Sequence, residues 1–218
     1  MGDWVTNEYQ IIAHKGNSSG CPENTNAAIA SAIENQCTMV EIDVSVTSDG
    51  YSVALHGPSL ESTTSGSGKV NQTVLEELLN YFVRGQDGEI TDIKVPLVED
   101  LLRNFGSKTK WNLDLKEGRI EDDLSQVIYN LGLQNHIVLS GLKFSDAKRT
   151  AIRNSDLNLL VNLSKVDQLF VALKFIGPLY ARYRFRSLSQ ESSVIAINMH
   201  YRYVSKQMIR EIHKLGLE

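Results

Sequence analysis

Residues 39–56, MVEIDVSVTSDGYSVALH, constrain the fold of this chain more than any other stretch. Val40, Ile42, Val44 and Val46 alternate with Glu41, Asp43 and Ser45, the period-two pattern of a β-strand. Ser48-Asp49-Gly50 then signals a hairpin, and residues 51–56 read as its second strand. With Asp49-Gly50 as the loop, Ser48 lies opposite Tyr51 and Asp43 opposite His56. A register two residues off sets His56 opposite Glu41. Either register puts two carboxylates and an imidazole on one face. If that face is solvated, this is the polar side of an antiparallel sheet. If it is buried, the paired carboxylates repel unless something neutralises them, and a metal ion is the usual solution. The ribbon alone fits both readings.

The remainder of the 218 residues is ordinary globular sequence, 42% hydrophobic and 22% charged, enough for one core. We expect a single domain over 1–218, with 57–95 as an insertion that forms an active-site loop region. A net charge of −4 gives no electrostatic case for nucleic acid as a partner. No long apolar run or N-terminal signal pattern is present, so no membrane span is expected. Cys21 and Cys37 make neither a disulfide framework nor a zinc pattern, and read as free thiols of a cytoplasmic protein.

Taken in order, residues 9–14 read as a first strand ending in His14. Residues 15–23 read as a loop, and Asn24 or Thr25 as the cap of a helix. After the ribbon, 57–69 has loop composition, 73–82 reads as a short helix, and 83–95 is charged and contains glycine. A helix over 97–105 follows. Residues 111–116, WNLDLK, alternate again, with Asn112, Asp114 and Lys116 on the polar side. From there strands (137–142, 157–163, 194–199) alternate with helices (121–131, 145–154, 166–176, 205–215). That rhythm predicts an α/β fold with parallel strands, of the (β/α)8 TIM-barrel type, since no GxGxxG turn marks a dinucleotide-binding half. Residues 170–185 hold Phe170, Phe175, Tyr180, Tyr183 and Phe185 among basic residues. They could touch a lipid or the alcohol half of a substrate, but read first as an amphipathic helix and loop packing their aromatics inward.

In such a barrel, catalytic residues collect at the C-terminal strand ends. His14, Glu41, Asp43, Asp114 and Lys116 would then converge on one spot. Carboxylates with neutral oxygen donors suit a hard cation, Mg²⁺ or Ca²⁺, rather than zinc. A cation with Lys15 and Lys116 nearby suits a phosphate ester, and His14 and His56 could supply base and acid for in-line displacement.

The ordered motifs His14-Lys15-Gly16, Pro22-Glu23-Asn24-Thr25, Glu41-Ile42-Asp43-Val44, Thr47-Ser48-Asp49-Gly50, His56, Pro96-Leu97 and Leu113-Asp114-Leu115-Lys116 resemble the glycerophosphodiester phosphodiesterase family. The resemblance runs from His14 to the end of the chain and also takes in the loop 60–70. It implies a metal-dependent barrel that hydrolyses glycerophosphodiesters to glycerol 3-phosphate and an alcohol. It implies His14 and His56 as the acid/base pair, Glu41, Asp43 and Asp114 as metal ligands, and Lys15 and Lys116 at the substrate phosphate. A small-molecule glycerophosphodiester or a lysophospholipid is the implied partner.

Four positions depart from the family pattern. Lys15 stands where an arginine is usual, Gly57 for an aspartate, Ser62 for an arginine and Asp114 for a glutamate. His56-Gly57 and Asp114-Leu115-Lys116 also resemble the sphingomyelinase D group, so a phospholipase D-like lipid phosphodiesterase is one alternative, and an inactive binding barrel is another. The family pattern continues past Glu218 with further C-terminal βα units. An incomplete barrel is therefore expected, with open strand edges available for pairing into a homo-oligomer.

Overall fold

The structure, a computed structural model, describes residues 11–173 and 176–217. Residues 9 and 10 of the expected first strand, and Lys174 and Phe175, lie outside them. The described residues form two compact units divided between Ile137 and Val138.

The first unit runs β1 (Ile12–Ala13), α1 (Asn26–Glu34), β2 (Met39–Val46), β3 (Ser52–Ala54), α2 (Leu75–Leu78), β4 (Phe82–Arg84), β5 (Ile90–Lys94), α3 (Val98–Phe105), β6 (Lys110–Leu115) and α4 (Asp122–Asn130). β2 pairs in parallel with β1 and with β6, and antiparallel with β3. All eight residues of β2 are buried, as in a parallel sheet covered on both faces. The solvated-face reading of Glu41 and Asp43 is therefore excluded. Trp111 anchors β6 in the core, fully buried, with its indole N–H donating to the Gly106 carbonyl at 3.1 Å.

The β2–β3 hairpin closes one residue away from both expected registers. Val44 faces Ala54 and Val46 faces Ser52, so Asp43 is aligned with Leu55 and not with His56. The cause is the turn. Thr47 N–H donates to the Tyr51 carbonyl and Thr47 Oγ1 accepts from Tyr51 N–H, leaving Ser48, Asp49 and Gly50 as a three-residue loop with Gly50 at φ +92°.

Segment 57–95 carries its own small core. Leu60, Val70, Leu78, Val83 and Val95 pack with Val53 and Leu55 of the hairpin. The helix expected over 73–82 shrinks to α2, and 83–95 contributes the antiparallel pair β4–β5. Its Gly, Ser and Thr content obscured both.

The second unit takes in β7 (Ile137–Leu142) from its second residue and continues α5 (Phe144–Arg153), β8 (Asn158–Asn162), α6 (Lys165–Val171), α7 (Gly177–Phe185), β9 (Val194–Asn198) and α8 (Lys206–His213). β7, β8 and β9 pair in parallel in that order. Parallel strands alternating with helices in both units give the expected α/β class. No helix among the described residues is long and apolar enough to cross a membrane.

Gly16 fixes the entry to α1. It sits at φ +75°, its N–H donates to the Glu41 carbonyl at 3.2 Å, and a Cβ there would lie 2.7–2.9 Å from Ala28. Gly16→Ala is expected to destabilise the protein by at least about 1–2 kcal/mol from the left-handed backbone alone. Denaturant unfolding measures it. An unchanged midpoint would show that the turn is not held this way.

Candidate active site

The site is built on β2 and β6 and on the loop that follows β1. Glu41 and Asp43 project from β2, and the β2–β6 register sets Asp43 beside Asp114. One carboxylate oxygen from each of Glu41, Asp43 and Asp114 lies within 4.8 Å of the other two. Glu41 and Asp43 are buried and Asp114 is half-buried.

Asp43 has no solvent exposure, and its neighbours are arranged around it. The Asn24 side chain grips it twice, with Nδ2 donating to Asp43 Oδ2 and Asp43 N–H donating to Asn24 Oδ1, both at 3.0 Å. Asn24 can reach because its backbone is left-handed, at φ +60°, a conformation Asn tolerates. Of the two capping candidates, Thr25 is the cap, with Oγ1 accepting from Ala28 N–H at 3.3 Å. Asn24 is instead the carboxylate clamp, a role not drawn from the sequence. The signal was present in the residue type, since Asn is the side chain that combines an amide fork with a left-handed backbone.

Two ammonium groups neutralise the cluster. Lys116 Nζ lies 2.5 Å from Asp43 Oδ1 and also pairs with Asp114 Oδ2. The approach to Asp43 Oδ1 is not aligned as a hydrogen bond, so that buried oxygen is held by charge alone. Lys15 Nζ donates to Glu23 at 2.9 Å and lies 3.6 Å from Asp43 Oδ2. Glu23 thus tethers Lys15. Lys15 itself is left-handed, at φ +59°, which aims its backbone N–H at Glu41 Oε2, 2.8 Å away.

The two buried carboxylates are pushed apart in acidity. Burial, and then the Asp43 charge, raise Glu41 to about 7 against the Lys15 backbone N–H. Burial also opposes ionisation of Asp43. The Lys116 and Asn24 contacts and the two lysine charges outweigh it and hold Asp43 below the usual carboxylate range. Burial would lower Lys116, but Asp114 and Asp43 raise it overall.

His14 Nε2 is 3.8 Å from Glu41 Oε2, on a side chain that is 75% exposed. His56 is exposed and lies one residue past Leu55, whose carbonyl accepts from Ser45 Oγ at 2.8 Å. The same Oγ accepts from Gly57 N–H at 3.2 Å. Ser45, two residues beyond Asp43 on the same strand face, therefore pins the backbone on both sides of His56. A Cβ on Gly57 would stand 2.9 Å from that Oγ, so the aspartate usual at this position in the family would require Ser45 to turn away. Gly57 and Pro58 share a cleft with Lys116, Glu117, Asn71 and Arg119, so the loop after His56 opens beside the Lys116 ammonium.

Carboxylate oxygens at this spacing, one of them without a hydrogen bond, suit a hard divalent cation. The surrounding lysines suit a phosphate group.

Residues 14–218 match the glycerophosphoryl diester phosphodiesterase family, and the chain belongs to it. A glycerophosphodiester phosphodiesterase of Caldanaerobacter subterraneus is 29% identical over 174 residues, covering 75% of this chain and 71% of that one. Bacillus subtilis YqiK, an uncharacterised protein, is 34% identical over 139 residues, covering 60% of this chain and 57% of its own length. The chain thus spans between about half and three quarters of these two relatives. Among solved structures, an Agrobacterium tumefaciens glycerophosphodiester phosphodiesterase superposes with a TM-score of 0.73 at 19% identity, over 97% of this chain and 85% of that one. An Oleispira antarctica phosphodiesterase, solved with its product sn-glycerol-3-phosphate, gives 0.67 at 23% identity, over 96% and 82%. These likenesses establish the fold, the barrel type expected from the strand–helix rhythm.

The Glu41 shift has a measurable consequence. Folded Glu41 takes up its proton near pH 7 and the unfolded chain near 4.5, so its contribution is favourable below the lower value and is lost as pH rises through the upper one. In chelator, Glu41→Gln is expected to raise the melting temperature at about pH 8 and to change it little at about pH 4.5. An equal effect at both pH values, read by thermal scans, would contradict the raised pKa of Glu41.

Proposed function

We propose that this chain is a divalent-cation-dependent phosphodiesterase that hydrolyses glycerophosphodiesters to glycerol 3-phosphate and an alcohol. The observation that carries the reading is the gathering of Glu41, Asp43 and Asp114 with Lys116 in one cluster. Membership of the family, and the product bound in the Oleispira relative, point the same way.

In this reading Glu41, Asp43 and Asp114 hold Mg²⁺ or Ca²⁺. The cation, when bound, supplies Lewis-acid polarisation of the phosphoryl oxygens. Lys116 neutralises Asp43 and Asp114 while no phosphate is present, and turns to the phosphate when substrate arrives. Lys15 contributes charge and not a bidentate fork, because an ammonium is a point donor. His14 and His56 exchange protons at the two ends of the displacement. One takes the proton of the attacking oxygen while the other protonates the departing alcohol oxygen as its bond to phosphorus breaks. His14 stands at the edge of the carboxylate cluster, with Nε2 3.8 Å from Glu41 Oε2. Glu117 lines the cleft next to Lys116, and burial pushes its carboxyl above the usual carboxylate range.

The test is release of glycerol 3-phosphate from glycerophosphocholine with added Mg²⁺ or Ca²⁺ and with chelator. Chelator-sensitive release is expected. Substituting either His14→Ala or His56→Ala should lower kcat by roughly 10²–10⁴ with the fold intact by circular dichroism. Release that survives both substitutions would overturn the proton-transfer roles. Release indifferent to chelator would overturn the cation.

Because Glu41 protonates near 7, protons compete with the cation. The Mg²⁺ concentration giving half-maximal activity is expected to rise as pH falls below about 7 and to level off above it. A requirement that does not vary with pH would remove Glu41 from the ligand set.

A further inference from the structure

The second unit presents a surface that the active site does not use. The aromatics of 170–185 were expected to pack inward, and the structure corrects this for half of them. Phe185 is buried and Tyr180 half-buried, but Phe170 is exposed and Tyr183 is 86% exposed. Phe175 lies outside the described residues. On α6, Val166, Leu169 and Phe170 are all exposed at helical spacing, so they share one outward stripe. On α7, Leu179 (68% exposed) and Tyr183 lie one turn apart. The Phe170 and Tyr180 rings stack at 5.0 Å and join the two helices.

This surface is also basic. Its described residues, 165–173 and 176–186, contain four Lys and Arg and one acidic residue, in a chain of net charge −4. The acidic residue, Asp167, is buried and consumed by Ser164, Tyr180 and Arg184. Arg184 is thereby used internally, and its guanidinium lies 3.6 Å over the Phe144 ring. Arg182 and Arg186 are exposed, and helical spacing places them beside Leu179 on the same side of α7. They line a recess with Lys214 and Glu211, and Glu211 is already paired with Lys214 at 2.6 Å.

We propose that the α6–α7 surface docks peripherally on an anionic phospholipid bilayer. Exposed Leu, Phe, Ile and Tyr side chains interleaved with Arg are the composition that enters the headgroup–acyl boundary. The surplus cations supply the attraction to acidic headgroups. A second copy of the chain fits less well, because a two-fold contact would set Arg182 and Arg186 against their own equivalents. The inference does not depend on the catalytic reading, and its test does not use turnover.

The experiment is flotation of the chain with vesicles of phosphatidylcholine alone and of phosphatidylcholine with phosphatidylglycerol, at low and at physiological salt. Binding is expected on the anionic vesicles, weaker on neutral ones and weaker as salt rises. The double variant Arg182→Gln/Arg186→Gln, and separately Leu179→Asp, should each lower partitioning roughly tenfold or more. Circular dichroism checks that both fold. Sites this exposed leave the core untouched, and the charge variant suffices if the aspartate variant fails. Protein that stays out of the anionic fraction, equal binding to both vesicle types, or variants that bind as the parent chain does would each overturn the proposal. So would a concentration-dependent dimer abolished by Leu179→Asp, since that would make a second copy the occupant.

Discussion

Asp43 carries its charge at a position with no solvent access, and the surrounding loops are organised to compensate that charge. An isolated carboxylate there would protonate. It stays ionised because Asn24 supplies a hydrogen bond and Lys15 and Lys116 supply charge. Each of these comes from a different place. Asn24 comes from the turn into α1, Lys15 from the turn after β1, and Lys116 from the residue just past β6. The edge of β2 shows the same economy. Between the stretches paired to β1 and to β3, its polar groups are met by Gly16, Asn24 and Leu55. The loops that meet this unpaired edge are the loops that carry the site.

The consequence for chemistry is a division of labour between neighbours on one strand. Glu41 and Asp43 project to the same side, yet one is driven towards its neutral form and the other towards its charged form. What separates them is partners, because burial opposes both charges. Glu41 has a backbone N–H and a partly exposed histidine, whereas Asp43 has two ammonium groups. A divalent cation would replace the lysine charges, bring Glu41 back to its ionised form, and free Lys116 for an anion.

Much of this was legible in the sequence, for physical reasons. Period-two alternation in 39–46 and 110–115 marks strands whatever surrounds them, and Glu41, Asp43 and Asp114 lie on those two strands. What escaped depended on contacts between distant residues or on small local choices. A three-residue turn instead of a two-residue one moved the hairpin register, because Thr47 bonds Tyr51 in place of Ser48. Asn24 read equally well as a helix cap, and only its positive φ turns it onto Asp43. The core under 57–95 uses isolated apolar residues scattered through polar sequence, which no local period reveals. The outward aromatics of α6 and α7 look in sequence like any buried amphipathic stretch.

Calorimetric titration of the chelator-treated chain with Mg²⁺ and with Ca²⁺ tests the central claim most directly. The account predicts saturable binding of one ion per chain, lost in Asp43→Asn, with protons released on binding near neutral pH as Glu41 ionises. Absence of saturable binding, or binding that survives Asp43→Asn unchanged, would contradict it.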